Sequence, residues 1–263
     1  KEEVPASKMQ ALKAFLLGQR RRLILPGAVI AAALIGAIFM GQKKPANYAI
    51  PFSHANALVW KGDTLWVSDW YEQALFQMKL EKDAFTVVKK YPLPGSHISG
   101  MAIIDDSIIL ADSAKHEIQR RRLDDALSVE YVLPSPRSKP GALHYDGKFL
   151  WSADGGGQIY QHAPDLLLTI ANTYSMPFPT VSISEEKGAI WVADSASKLF
   201  YSLNKDQKLA ATAAFGFKDL DKSKTALSCF TWRDGKLWVG REGAKDLLEL
   251  SAGQLGSRKL PSP

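Results

Sequence analysis

An all-β fold made of repeated small sheets is predicted by three observations. The five residues Leu65-Trp66-Val67-Ser68-Asp69 return as Ile108-Ile109-Leu110-Ala111-Asp112, Leu150-Trp151-Ser152-Ala153-Asp154, Ile190-Trp191-Val192-Ala193-Asp194 and Leu237-Trp238-Val239-Gly240-Arg241, at steps of 43, 42, 40 and 47 residues. A second marker, Tyr48-Ala49-Ile50-Pro51, returns as Tyr91-Pro92-Leu93-Pro94, Tyr131-Val132-Leu133-Pro134 and Tyr174-Ser175-Met176-Pro177, each tyrosine 20 to 23 residues before its unit's aspartate. Turn pairs such as Asp146-Gly147, Lys187-Gly188 and Asp234-Gly235 stand just before the first marker, where a tight hairpin needs residues that tolerate positive φ. A period near forty residues in short apolar runs is the signature of β-propeller blades, and five units are counted, so the expectation is a five-bladed β-propeller preceded by a transmembrane α-helix.

The helix comes first in the chain. Nineteen residues from Leu23 to Gly41 carry no charge, enough for a short membrane span. A 22-residue lead and the lack of a small-x-small cleavage site argue against a removable signal peptide. Lys8, Lys13 and Arg20 to Arg22 precede the span whereas Lys43 and Lys44 follow it, which assigns the amino terminus to the cytoplasm and the body to the far side of a bacterial inner membrane. Ala28, Ala32 and Gly36 form a small-residue stripe along which a second helix could pack, although any alanine-rich span has one. Ser7 is placed to cap a helix with Met9, Leu12 and Leu16 on one side, suited to the inner leaflet's lipid or to a partner subunit. The divisions are therefore 1–22 cytoplasmic amphipathic segment, 23–41 span, 42–47 linker and 48–263 propeller.

The first complete unit reads as four strands: Ala57 to Trp60 innermost, then Thr64 to Ser68, Ala74 to Leu80 and Phe85 to Leu93. Prolines in the last are tolerated because an outer strand need not donate every hydrogen bond. The fifth unit, Ala226 to Leu250, lacks a clear outer strand, and two closures are open. Either the Tyr48 segment joins the last unit and shuts the ring, or Arg258 to Pro261 completes it and Tyr48 is a lead-in.

Ile190-Trp191-Val192-Ala193-Asp194-Ser195 resembles the second strand of the bacterial YVTN and NHL repeat families, which runs aliphatic-x-Val-Ala-Asp into a short turn. The resemblance covers residues 48–250 and implies a propeller. Those families have six or seven blades and include both binding modules and enzymes, so it implies no single activity.

Charge excludes one class of partner. Residues 1–44 hold eight basic and two acidic side chains, which leaves 25 of each sign in residues 45–263. A neutral body has no phosphate-binding footprint, so nucleic acid is not an expected partner. Cys229 is the single cysteine, in the apolar run Ser228 to Trp232, and reads as a small buried hydrophobe.

The repeated acids Asp69, Asp112, Asp154 and Asp194 read as turn-fixing residues, and the repeated tryptophans as packing. Departures from the repeat are the better site candidates. His54 and His97 each lie three residues after a marker proline, with Arg137 and Thr180 at the matching places, so His54, His97 and Arg137 are expected to gather as a ligand site at one mouth of the axial channel. Arg120, Arg121, Arg122 and Arg241 are candidate partner contacts. No cofactor or metal is implied. The functional expectation is a membrane-anchored scaffold or accessory subunit of an envelope complex, contacting lipid and other membrane subunits. The alternative is a tethered hydrolase or lactonase using His54, His97, Asp69 and Asp112.

Overall fold

The computed structural model describes residues 45–136 and 139–260. The segments 1–22 and 23–41 lie outside the described residues, as do Arg137 and Pro261. Among the described residues no helix is long and apolar enough to cross a membrane.

The body from Pro45 onward is a β-propeller. Strand β1 (Ala46–Ala49) begins two residues inside the stretch expected to be linker. Four antiparallel meanders follow. The first comprises β2 (Ala55–Lys61), β3 (Thr64–Asp69), β4 (Ala74–Glu81) and β5 (Ala84–Pro92), close to the strands expected. The second comprises β6 (Ile98–Ile104), β7 (Ser107–Asp112), β8 (Glu117–Arg122) and β9 (Val129–Pro134). The third comprises β10 (Pro140–Tyr145), β11 (Leu150–Asp154), β12 (Gln158–His162) and β13 (Ile170–Ser175). The fourth comprises β14 (Ser182–Glu186), β15 (Ala189–Asp194), β16 (Leu199–Asn204) and β17 (Ala210–Gly216). After a short helix, Lys218–Lys222, come β18 (Leu227–Arg233), β19 (Lys236–Arg241) and β20 (Asp246–Ser251).

The chain's beginning completes its end. Strand β1 pairs antiparallel with β20, Tyr48 opposite Leu247, and the Tyr48 hydroxyl donates to Glu249 Oε2 at 3.3 Å. The final strand, β21 (Gly256–Arg258), instead adds to the outer edge of β17, where the Arg258 guanidinium reaches Asp221 at 2.5 Å. Closure by Arg258 to Pro261 is therefore excluded in favour of closure by the Tyr48 segment.

The two sequence markers meet in space. Trp66 stacks on Tyr91 with centroids 5.4 Å apart, Trp151 lies 6.0 Å from Tyr174, and Trp238 lies 5.1 Å from Tyr48. Their constant phase reflects a ring pair between the second and outer strands of one sheet, each pair adding about 1 kcal/mol beyond its buried area. The core is not continuous but wedged between neighbouring sheets. Ala57, Trp66 and Leu75 pack with Met101 and Ile108, for example, and Trp151 and Ile159 with Ile190 and Val192.

Inner strands β2, β6, β10, β14 and β18 touch in that order, and β18 returns to β2, enclosing the axis. Their approach is close. A Cβ on Gly100 would stand 2.5 Å from the backbone nitrogen of Leu143 on the next inner strand, so only glycine fits.

Candidate functional site

The repeated acids are spent on turns. Asp69 accepts the backbone N–H of His54 at 2.8 Å and of Tyr71 and Glu72 at 2.9 Å. Asp112 takes those of His97, Ala114 and Lys115 at 3.0 to 3.2 Å. Burial pushes the Asp112 carboxyl up, but these bonds outweigh it and hold it below the usual carboxylate range. Asp154 and Asp194 fix equivalent turns. Asp69 and Asp112 are buried at 1% and 0% exposure, each facing the backbone of its own turn.

What opens at this end of the axis follows from a recurring irregularity. The pairing of inner with second strand shifts by one residue between Ala55 and Ala57, Ile98 and Gly100, Pro140 and Ala142, and Leu227 and Cys229. A bulge turns its extra residue out of the ladder. Here the extra residues are Asn56, Ser99, Gly141 and Ser228, and all four line a cavity of about 400 Å3. Two of them stitch the ring: the Asn56 amide donates to the Ile98 carbonyl at 3.1 Å and the Ser99 hydroxyl to that of Pro140 at 2.5 Å.

Around this mouth stand residues that differ between units. The carbonyls of His54, His97, Lys139 and Ala226 accept the backbone N–H of Trp70, Ser113, Gly155 and Glu242 respectively, which defines equivalent positions. Arg137 lies outside the described residues, and the residue in register with His54 and His97 is Lys139, because the loop before β10 is longer than the proline count suggests. Glu242, absent from the expected site, lies at its centre. It is the one acid among the residues that follow the repeated marker, Trp70, Ser113, Gly155, Ser195 and Glu242, and that contrast was the signal available in the sequence.

Glu242 Oε1 meets His54 Nδ1, and Oε2 accepts the Trp70 indole N–H at 3.3 Å. The Trp70 ring lies 5.0 Å from that of His54 and 5.3 Å from that of His97. A carboxylate facing Nδ1 accepts the proton of that nitrogen and points Nε2 away from Glu242. Burial holds the His97 imidazole below the usual histidine range, against the pull of Asp112 and Glu242, so it is neutral at neutral pH. His97 also lines a second cavity of about 400 Å3 with Trp70 and Tyr71, the latter 68% exposed. Among the described residues no cluster of three or more His, Cys, Asp or Glu side chains is arranged to hold a metal.

The arginines are placed differently. On β8, Arg120 Nε and Arg122 Nε reach the two oxygens of Glu130 at 3.0 and 3.4 Å, while Arg121 turns to the other face and donates to Gln119 at 2.7 Å and to the Leu127 carbonyl at 3.1 Å. One carboxylate thus pairs with two of the three guanidinium groups. Arg241 replaces the turn aspartate and pairs with Asp246 of its own hairpin at 2.5 Å. None of the four joins the mouth.

The other end of the inner strands is narrower, a cavity of about 170 Å3 with His144 and Glu185 in its wall. Lys205 bridges Asp146 at 3.0 Å and Glu185 at 2.9 Å, and His144 Nε2 lies 3.9 Å from Glu185. Burial pushes the Asp146 carboxyl up, but the Phe149 N–H, the Trp151 indole, Lys205 and the Lys148 N–H bring it down to about 2. His162 is structural, bonded through its two ring nitrogens to Ser152 at 2.8 Å and the Leu168 carbonyl at 2.7 Å.

No protein-family model and no curated protein matches this chain. Solved structures do. The chain is similar to the glutaminyl cyclase of Myxococcus xanthus, with a TM-score of 0.68 and 14% identity over 81% of this chain and 95% of that one. It is similar to a streptogramin B lyase, with a TM-score of 0.51 and 14% identity over 84% of this chain and 73% of that one. The WD40 β-propeller domain of Doa1 gives a TM-score of 0.50 and 10% identity over 74% of this chain and 62% of that one. At such identities the likeness extends to the propeller fold alone.

Proposed function

We propose that the chain is a five-bladed β-propeller tethered to a bacterial inner membrane by residues 23–41, with residues 1–22 cytoplasmic, and that it serves as a docking subunit of an envelope complex. The five blades are the four meanders and the sheet that β18, β19 and β20 form with β1. The observation that carries the docking reading is the segregation of residues. Those that recur in most units are used in turns and stacking, whereas Trp70, Tyr71 and Glu242, each found in one unit, collect at one mouth with His54 and His97. The uncharged span and its basic lead support the tether, and the neutral body supports a protein or uncharged partner over a nucleic acid.

The test is extraction of the full-length chain in mild detergent. The wild type is expected to bring partner subunits with it, and the double variant Trp70→Ala, Tyr71→Ala to lose most of them. Undiminished copurification by the double variant would sink the reading. A second reading, a tethered hydrolase with His54 Nε2 as general base oriented by Glu242, is favoured by the Nδ1 contact. It predicts ester or lactone turnover by the wild type that His54→Ala abolishes.

A further inference from the structure

The geometry points to the mouth as a binding site for a neutral oligosaccharide, laid from the axial cavity across His97 onto the Trp70 and Tyr71 rings. This rests on the mouth being the working surface and specifies what it takes.

The first argument is size and shape. Two cavities of about 400 Å3 each have His97 in their walls, so they border one common side chain. Each alone is in the range that holds a small ligand, about 300 to 1,000 Å3. A linear ligand of more than one ring suits the pair better than a single compact one.

The second argument is the chemistry of the lining. In the axial cavity the polar groups are mainly small and uncharged. Ser99 and Ser113 already donate their hydroxyl hydrogens to backbone carbonyls, so their oxygens are left to accept. The Asn56 amide likewise spends an N–H on Ile98 and keeps its carbonyl oxygen. Thr180, 1% exposed, has a hydroxyl with no partner in a wall of the same cavity. The Ser99, Ser113 and Asn56 acceptors match sugar hydroxyls, each of which donates and accepts. A cation would find Lys139 in the wall, and the Glu242 carboxylate already engaged by His54 and the Trp70 N–H. An anion would meet that same carboxylate.

The third argument is the second cavity, whose aromatic walls offer what the axial cavity lacks. Trp70 and Tyr71 are exposed to it, and their ring centroids are 6.0 Å apart at an interplanar angle of 87°. With the rings at right angles, one face can carry the apolar C–H face of a pyranose while the other ring borders its edge, and the polar groups stay in water or reach His97 and Ser96.

The test applies the full-length chain in mild detergent to a printed array of neutral oligosaccharides, followed by titration of the strongest binder. Inorganic phosphate and tetramethylammonium serve as charged probes. Saturable binding of a neutral oligosaccharide that changes little between low and high salt is expected, weakened about tenfold by Tyr71→Ala and further by Trp70→Ala. Tyr71 is mostly exposed, so that variant keeps its fold and isolates the platform. Retention of no neutral oligosaccharide, equal retention by both variants, or binding of a charged probe alone would each overturn the assignment. If partner copurification still depends on Trp70 and Tyr71 while no oligosaccharide binds, the ligand class is wrong and the docking surface stands.

Discussion

The same inner strands begin and end in opposite chemistry. At the Glu242 end, bulges turn Asn56, Ser99 and Ser228 into a cavity of about 400 Å3, and the carboxylate is held by one imidazole and one indole on a partly exposed face. At the Asp146 end the cavity is about 170 Å3, and Lys205 ties Asp146 to Glu185 across two neighbouring sheets, with His144 Nε2 3.9 Å from Glu185. At one end a lysine bridge ties two sheets together, and at the other the His54–Glu242 pair stands at the edge of a cavity. Repetition makes both ends from one template, and a few unit-specific residues decide which end is structural.

The largest effect is expected where the two ends share their support. Gly100→Ala puts a Cβ within 2.9 Å of three backbone atoms of Ala142 and Leu143, which cannot yield without parting β6 from β10. A loss of about 3 kcal/mol is expected in denaturant unfolding, with cooperative collapse of both ends together. Survival of one end, as read by hydrogen exchange, would show that the ends are separate bodies.

Asp146→Asn should act on one end alone. The Asp146 side chain is 5% exposed, and its carboxyl titrates at about 2 in the folded chain against the model-peptide 3.8. A depressed carboxyl contributes stability that is complete above the unfolded value and disappears as pH falls through the folded one. The variant is therefore expected to be about 2 kcal/mol less stable at pH 7, with the gap closing between about pH 4 and pH 2. Ligand or partner binding at the Glu242 mouth should not change. A gap that persists at pH 2 would mean that shape, not charge, is what Asp146 supplies.

The comparison also separates what sequence could reveal from what it could not. Strands and turn acids were legible because each is written in residues that recur, Trp66 with Tyr91 and Asp69 with its turn, whereas ring closure was left between two strands until Tyr48 was seen to pair with β20. The mouth was legible in part. His54 and His97 keep the repeat's phase, but counting from the proline marker pointed to Arg137, whereas backbone pairing puts Lys139 in register. Glu242 follows the longest step in the series, 47 residues, and hid behind the change from aspartate to Arg241. The Lys205 bridge joins residues 59 and 20 positions apart on different sheets, and no periodicity carries such a contact. Likewise Glu130, which pairs with Arg120 and Arg122 of the basic run on β8, sits on the next strand, where the run itself gives no sign of it.

Glu242→Gln should give the smallest change in stability and the sharpest contrast with Asp146→Asn. The side chains of His54 and Glu242 are 26% and 38% exposed, so their pairing is screened by water, and its loss is expected to cost less than about 1 kcal/mol. The amide keeps the length and planarity of the carboxylate and still has an oxygen to accept the Trp70 N–H, so the ring stays in place. What goes is the anionic partner that holds the His54 ring at the mouth. Melting temperature should therefore hold within a few degrees while binding at the mouth falls, the reverse of the pattern for Asp146→Asn. If Glu242→Gln instead unfolds the chain and leaves binding per folded molecule intact, the His54–Glu242 pair is a structural lock like the Asp146 cluster, and the two ends differ in size alone.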